Sequence, residues 1–252
     1  MSVTSYKTMS DFISISHQEI LSIYEKKSSE IGVNPKLKIV FELCLNNLSL
    51  FPKINLGKNT SIENYISKWI NNYYKADINS PSKSTATPKS SCNDPAVKQI
   101  VKIATSISDE EANIQEKHHI LFMSAENIQG KLLEEYLNHK LNSDTWFWCK
   151  GNIVTATDFC KLDGSCLLQI KNKSNTENSS SNKIRKDTKI IKWYRLDSQK
   201  INGVITPKFM WSDLNEILNQ ASPSENYNLN EEDYENFIKN VIKKNKNIIS
   251  DK

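Results

Sequence analysis

Apolar residues recur at helical spacing through the first third of the chain. Ile20, Ile23 and Tyr24 follow a Ser16/Glu19 capping signal and predict a helix that Gly32 stops. A second helix starts at Asn34-Pro35, with the cap first and proline in the first turn, and runs through Leu37, Val40, Phe41, Cys44 and Leu48. A third opens at Thr60 with Glu63 and carries Ile62, Tyr65, Ile66, Trp69, Ile70 and Tyr73. From Lys75 to Asn93 the periodicity gives way to Ser, Thr, Lys and Pro, which predicts a loop or linker. Asp94-Pro95 then restarts a helix through Val97, Ile100, Val101 and Ala104. Ser108 with Glu111 caps the next, and its pattern lasts to Leu141, long enough to predict one break.

Beyond Leu141 the period shortens to two. Trp146-Phe147-Trp148-Cys149 predicts a strand turned at Gly151-Asn152. Val154 and Ala156 alternate with Thr155 and Thr157 up to Asp158, Asp163-Gly164 marks a tight turn, and Cys166 to Ile170 is apolar. This stretch predicts a β-hairpin with a buried second strand. Alternation sends Leu168 and Ile170 to one face and Leu167, Gln169 and Lys171 to the other. Ile190 to Arg195 is a further strand, and Trp211 precedes a short helix capped at Ser212. The last helix opens at Asn230 with Glu231, Glu232 and Asp233 and ends in Lys243, Lys244 and Lys246, an order that suits its dipole. Its apolar face is Tyr234, Phe237, Ile238, Val241 and Ile242.

A chain of 252 residues, 38% hydrophobic, can bury a full core. The net charge of +4 is modest, but its distribution is not. Lys171, Lys173, Lys183, Arg185, Lys186, Lys189, Lys192 and Arg195 face only Glu177 and Asp187 in the same stretch, a bias that suits nucleic acid. With 6 glycines and no phosphate-binding loop, dinucleotide and nucleoside-triphosphate folds are poor candidates. The five cysteines form no Cys-x-x-Cys pair, and no apolar run marks a signal or membrane segment. A cytoplasmic chain with reduced, mostly core thiols is expected. His118-His119 point in different directions and lack zinc-ligand spacing, so a surface or structural role is expected.

The hairpin carries the chemistry. Asp158 on one strand faces Gln169 and Lys171 on the next, and such a polar cluster on an apolar hairpin is costly unless a metal ion and a phosphate complete it. A Gln carbonyl can ligate a hard cation but adds no charge, so another carboxylate is expected. Glu126, Gly130 and Glu134 lie in one i, i+4 row of the long helix. Glycine inside a helix costs about 1 kcal/mol against alanine, which predicts a close approach at Gly130. After Lys171 come amide and hydroxyl residues flanked by bases. Lys173, Asn175, Asn178, Ser180, Lys183, Arg185 and Arg195 are therefore candidate DNA contacts.

The acid followed 13 positions later by lysine resembles the PD-(D/E)xK nuclease superfamily, with Thr157 in place of proline and Gln169 in place of the second acid. The combination is more specific than that. Asn34-Pro35-x-Leu37, Leu121 to Gly130 with Leu132-Leu133-Glu134, Asp158-Phe159, and Gln169-Ile170-Lys171-Asn172 leading to Asn178 to Ser181 resemble the SinI-like type II restriction endonucleases. The resemblance implies an α/β (α+β) nuclease core with a mixed central sheet flanked by helices. The helical periodicity and the polar Lys75–Asn93 stretch divide the chain into a helical N-terminal region over residues 1–93 ending in a flexible linker, and a core with a C-terminal helix over residues 94–252. The resemblance further implies Mg2+ held by Asp158, Gln169 and Glu134, with Glu126 the second choice of helix acid, and Lys171 at the scissile phosphate. The expected substrate is double-stranded DNA, cut by a homodimer at a short site such as GGWCC, with a cognate DNA methyltransferase in the same system. A structure-selective nuclease resembling a junction resolvase and a non-catalytic DNA-binding module are the alternatives.

Overall fold

The computed structural model of the chain describes residues 4–85, 94–173 and 189–249. Near the N-terminus, β1 (Tyr6–Lys7) leads to α1 (His17–Ser29) and α2 (Lys36–Asn46), β2 (Ile54–Asn55) pairs back on β1, and α3 (Ile62–Ile78) follows. The caps form at or beside the expected residues. Ser16 Oγ accepts from the Glu19 N–H at 3.3 Å and Asn34 Oδ1 from the Lys36 N–H at 2.9 Å. Ser61, one residue after the expected Thr60, caps α3 by accepting from the Asn64 N–H. Lys75 is still helical, because α3 runs on to Ile78 before the chain breaks up. Tyr24, Phe41, Phe51, Tyr65 and Trp69 pack ring against ring between these helices, as their apolar stripes require.

Next come α4 (Pro95–Thr105) and α5 (Asp109–Lys140). The Ser108/Glu111 capping box is complete, with both reciprocal bonds made. The expected break in this long run is absent: α5 is one helix of 32 residues. Its C-terminal half is held down by burial of Leu132, Leu133, Tyr136 and Leu137, and tertiary packing of this kind overrides the cost of Gly130. The expected close approach at Gly130 is also absent, since a Cβ there would meet nothing within 4 Å among the described residues. The close approach lies instead at Gly151, where a Cβ would come within 2.3 Å of the Asn72 carbonyl oxygen and where φ is +74°.

The sheet contains β3 (Trp146–Trp148), β4 (Phe159–Lys161), β5 (Leu167–Lys173), β6 (Ile190–Ile201) and β7 (Val204–Phe209), in that spatial order. It is mixed: β5 and β6 are parallel, and the other neighbours are antiparallel. Alternation divides its side chains as the sequence predicts. Phe147, Cys160, Leu167 and Ile190 join the core of the N-terminal helices. Trp146, Trp148, Phe159, Leu168, Ile170 and Trp193 pack on the other side with α5, α6 (Trp211–Ala221) and α7 (Glu231–Lys244). The sheet is thus a layer between helices, and the N-terminal region shares a core with it. Cys44, Cys149, Cys160 and Cys166 are buried, as expected for core thiols. None of the described helices is long and apolar enough to cross a membrane.

Three local expectations need correction. Residues 154–157 form a turn rather than a strand, with Ala156 at φ +54°. There the Thr155 N–H donates to the Leu50 carbonyl at 2.7 Å instead of to a neighbouring strand. Ser212 does not cap α6, whose first residue is Trp211; its hydroxyl donates to Asp213. The strand from Ile190 continues to Ile201 and returns as β7 through Asn202-Gly203, at φ +49° and +83°. That Asn-Gly pair is a strong hairpin signal, and the sequence reading passed over it.

Candidate active site

Asp158 is fixed by backbone on both sides. Its N–H donates to the Leu168 carbonyl at 2.9 Å, and its carbonyl accepts from the Cys149 N–H at 2.8 Å. The residue therefore stitches β3 to β5 immediately before β4 begins. Its carboxylate turns toward β5, where Oδ2 accepts from the Ile170 N–H at 2.6 Å. Burial raises its pKa, and the Ile170 N–H and the Lys171 ammonium oppose that rise. Gln169 and Lys171 flank Ile170 on β5, Gln169 buried and Lys171 half-buried.

Glu134 reaches the same place from α5. Leu133, Tyr136 and Leu137 anchor that part of the helix on the sheet, and the Trp148 indole N–H donates to Glu134 Oε2 at 3.0 Å. Burial pushes Glu134 up to about 7, and the negative charge of Asp158 adds to the rise. The Trp148 N–H, Lys171 and Lys131 work against it. Asp158 is thus close enough to oppose the ionisation of Glu134, a carboxylate from a different element, and the Lys171 ammonium acts on both. Trp148 was not singled out from the sequence. Its signal was the same alternation that places Trp146 and Trp148 toward α5.

Glu126 is not brought to this cluster. It lies eight residues earlier on α5, about 12 Å along the axis, and its exposed carboxylate pairs with Lys173 Nζ at 2.6 Å. Lys173, a candidate DNA contact, is therefore an exposed cation at the end of β5, next to Glu126. Arg195, another candidate, is buried. Its guanidinium pairs with Glu231, its Nε donates to Asn172 Oδ1 at 3.0 Å, and it lies over the rings of Phe209 and Tyr234. Arg195 thus braces β6 and the end of β5 against α7. Asn175, Asn178, Ser180, Lys183 and Arg185 lie outside the described residues. His118 and His119 are exposed. Glu135, adjacent to Glu134, faces elsewhere and accepts from the Ser82 N–H and hydroxyl, both at 2.7 Å.

The donor set suits a hard cation. Two carboxylates and an amide are all oxygen donors, and repulsion between the carboxylates is relieved by a positive ion between them. Among the described residues no three His, Cys, Asp or Glu side chains gather at one point. Magnesium fits this sparse set, since it commonly takes one or two protein carboxylates and keeps several waters.

Residues 24–244 match the SinI restriction endonuclease family. The chain is 35% identical over 224 residues to the type II restriction enzyme Eco47I of Escherichia coli, a match covering 84% of this chain and 90% of that protein. It is 34% identical over 228 residues to the type II restriction enzyme SinI of Salmonella infantis, again covering 84% of this chain and 90% of the relative.

Proposed function

Because this chain belongs to the SinI restriction endonuclease family, and is a type II site-specific deoxyribonuclease, we propose that Asp158, Glu134, Gln169 and Lys171 form its catalytic centre for magnesium-dependent phosphodiester hydrolysis in double-stranded DNA. The observation that carries this reading is the meeting of Glu134 and Asp158 from separate elements, with Lys171 beside them. Asp158, Glu134 and the Gln169 carbonyl would hold Mg2+. When bound, that ion would polarise the scissile phosphate and lower the pKa of a water.

The protein's own groups perform the remaining tasks. Trp148 holds Glu134 in place through its indole N–H, and the Ile170 N–H holds one oxygen of Asp158, leaving the other free to face a cation. Lys171 offers its ammonium to the charge that grows on the phosphoryl oxygens, or orients the attacking water. Specific readout is assigned to residues 174–185, with Asn175, Asn178, Ser180, Lys183 and Arg185 at base edges and phosphates. GGWCC is the proposed site, by the resemblance to the SinI-like enzymes. A homodimer would place one centre on each strand of such a site. A cognate methyltransferase would protect the host's own DNA, and a cytoplasmic location would follow from that substrate.

Digestion of a phage DNA of known sequence, with and without magnesium, tests the proposal. Discrete fragments that require the cation are expected, with ends mapping to GGWCC. Preference for branched DNA would indicate a resolvase-like nuclease instead, and binding without cleavage would indicate a DNA-binding module.

A further inference from the structure

Helix α4 is built inside out. Its least exposed side chains are Lys98, Val101 and Lys102, whereas Val97, Ile100 and Ile103 are 57%, 66% and 72% exposed. The lysines turn inward because α5 opens with acid: Lys102 Nζ lies 2.7 Å from Asp109, and Lys98 Nζ lies 2.7 Å from Asn113 Oδ1. These pairings, 98 with 113 and 102 with 109, make α4 and the start of α5 an antiparallel arm. An ordinary amphipathic helix buries its aliphatic stripe and solvates its charges. Here the arrangement is reversed, and an 11-residue helix with no buried residue has little to hold it folded alone.

The adjoining half of α5 has the same deficit. Ile114, Leu121, Phe122 and Met123 are all exposed, Phe122 by 70%. Together the arm shows apolar surface on the order of several hundred Å2, the scale of one partner's share of a standard interface of about 800 Å2 per side.

We infer that a second copy of this chain docks on the α4–α5 arm, so that two arms complete an isologous four-helix bundle. The inference rests on the function proposed above only in expecting two centres on one duplex. Chemistry argues against DNA as the occupant, since the exposed stripe is aliphatic and the lysines of α4 are engaged on Asp109 and Asn113. Two-fold pairing of antiparallel helix hairpins gives the exposed Val97, Ile100 and Ile103 apolar neighbours.

Sedimentation velocity across a concentration series tests this. The wild-type chain should run at twice its 28.9 kDa mass, and Ile100→Glu with Phe122→Glu should run as a monomer that keeps one cooperative melting transition, at a lower midpoint because the partner's stabilisation is lost. Hydrogen exchange provides a test that needs no variant: amides of residues 95–105 should be protected at dimer concentrations and exchange freely on dilution. The apolar tip of the β6–β7 hairpin, where Ile205 is 76% exposed, serves as the control, and Ile205→Glu should remain dimeric. A wild type that is monomeric at every concentration, an arm variant that stays dimeric, or dissociation caused by Ile205→Glu would each overturn the inference. Asp158→Ala should dimerise normally without cleaving. A wild type that dimerises through the arm but never cuts DNA would remove the catalytic reading and leave this interface standing.

Discussion

The two halves of α5 obey opposite rules. From Ile128 to Leu137 the helix buries Ile128, Leu132, Leu133, Tyr136 and Leu137 against the rest of the chain and sets Glu134 beside Asp158. From Ile114 to Met123 it carries residues of similar hydrophobicity that meet water. The same helical period runs through both halves, so periodicity alone does not say whether a stripe is core, site or interface. What differs is the layer underneath. The sheet receives the C-terminal half, while the N-terminal half packs beside α4, turned with its lysines inward.

The sharpest way to test that contrast is to remove one acid inside the buried stretch and one just before it. Glu134→Ala, like Asp158→Ala or Lys171→Ala, should lower the cleavage rate by at least on the order of 100-fold while DNA affinity stays close to wild type, because in the proposed centre these groups act on the chemical step. Glu126→Ala should change the rate only a few-fold, since its partner is the exposed Lys173. Single-turnover cleavage with a labelled duplex measures both. Equal losses at the two positions would erase the distinction drawn here.

A second test uses pH. Glu134 rises from the ordinary 4.5 to about 7 in the folded chain, so between those values the native state binds more protons than the unfolded one. Stability from this group is therefore fully present at low pH and is lost as pH rises through about 7, by about 1–3 kcal/mol. Denaturant titrations without divalent cations should show the decline, and Glu134→Gln should flatten it. Added Mg2+ should restore stability most at the alkaline end, where the carboxylates are ionised. A stability profile that is unaffected by the Gln substitution would place the titrating group elsewhere.

The smallest effect lies within the buried stretch, at a position that faces open space. With nothing within 4 Å of a Cβ at Gly130, Gly130→Ala should raise stability by roughly 1 kcal/mol and leave cleavage intact. If thermal stability rises but cleavage falls, then DNA approaches that surface, and the close contact expected from the sequence would be restored in the complex.

The hairpin of the proposed centre was legible because it is local. Asp158, Gln169 and Lys171 sit on one hairpin, and a two-residue period with a turn at Asp163-Gly164 fixes their relation without knowledge of the rest. The helices were legible for a similar reason, since stripes and caps such as Ser108 with Glu111 are contained within a few turns. The Asn202-Gly203 hairpin was equally local and was overlooked.

What the sequence determined by itself were these short-range relations: the elements, the mixed α and β class, and the hairpin that presents an acid, an amide and a lysine together. Tertiary structure alone decided the long-range choices. Glu126 and Glu134 are equivalent by helical period, and the depth at which α5 rests on β3 brings Glu134, through Trp148, to Asp158. Arg195 is as basic as any DNA contact, yet packing against Glu231, Phe209 and Tyr234 makes it a brace. Periodicity specifies which residues share a face, whereas the partner of that face is set by surfaces distant in sequence, whose burial yields free energy only once the chain has closed around them.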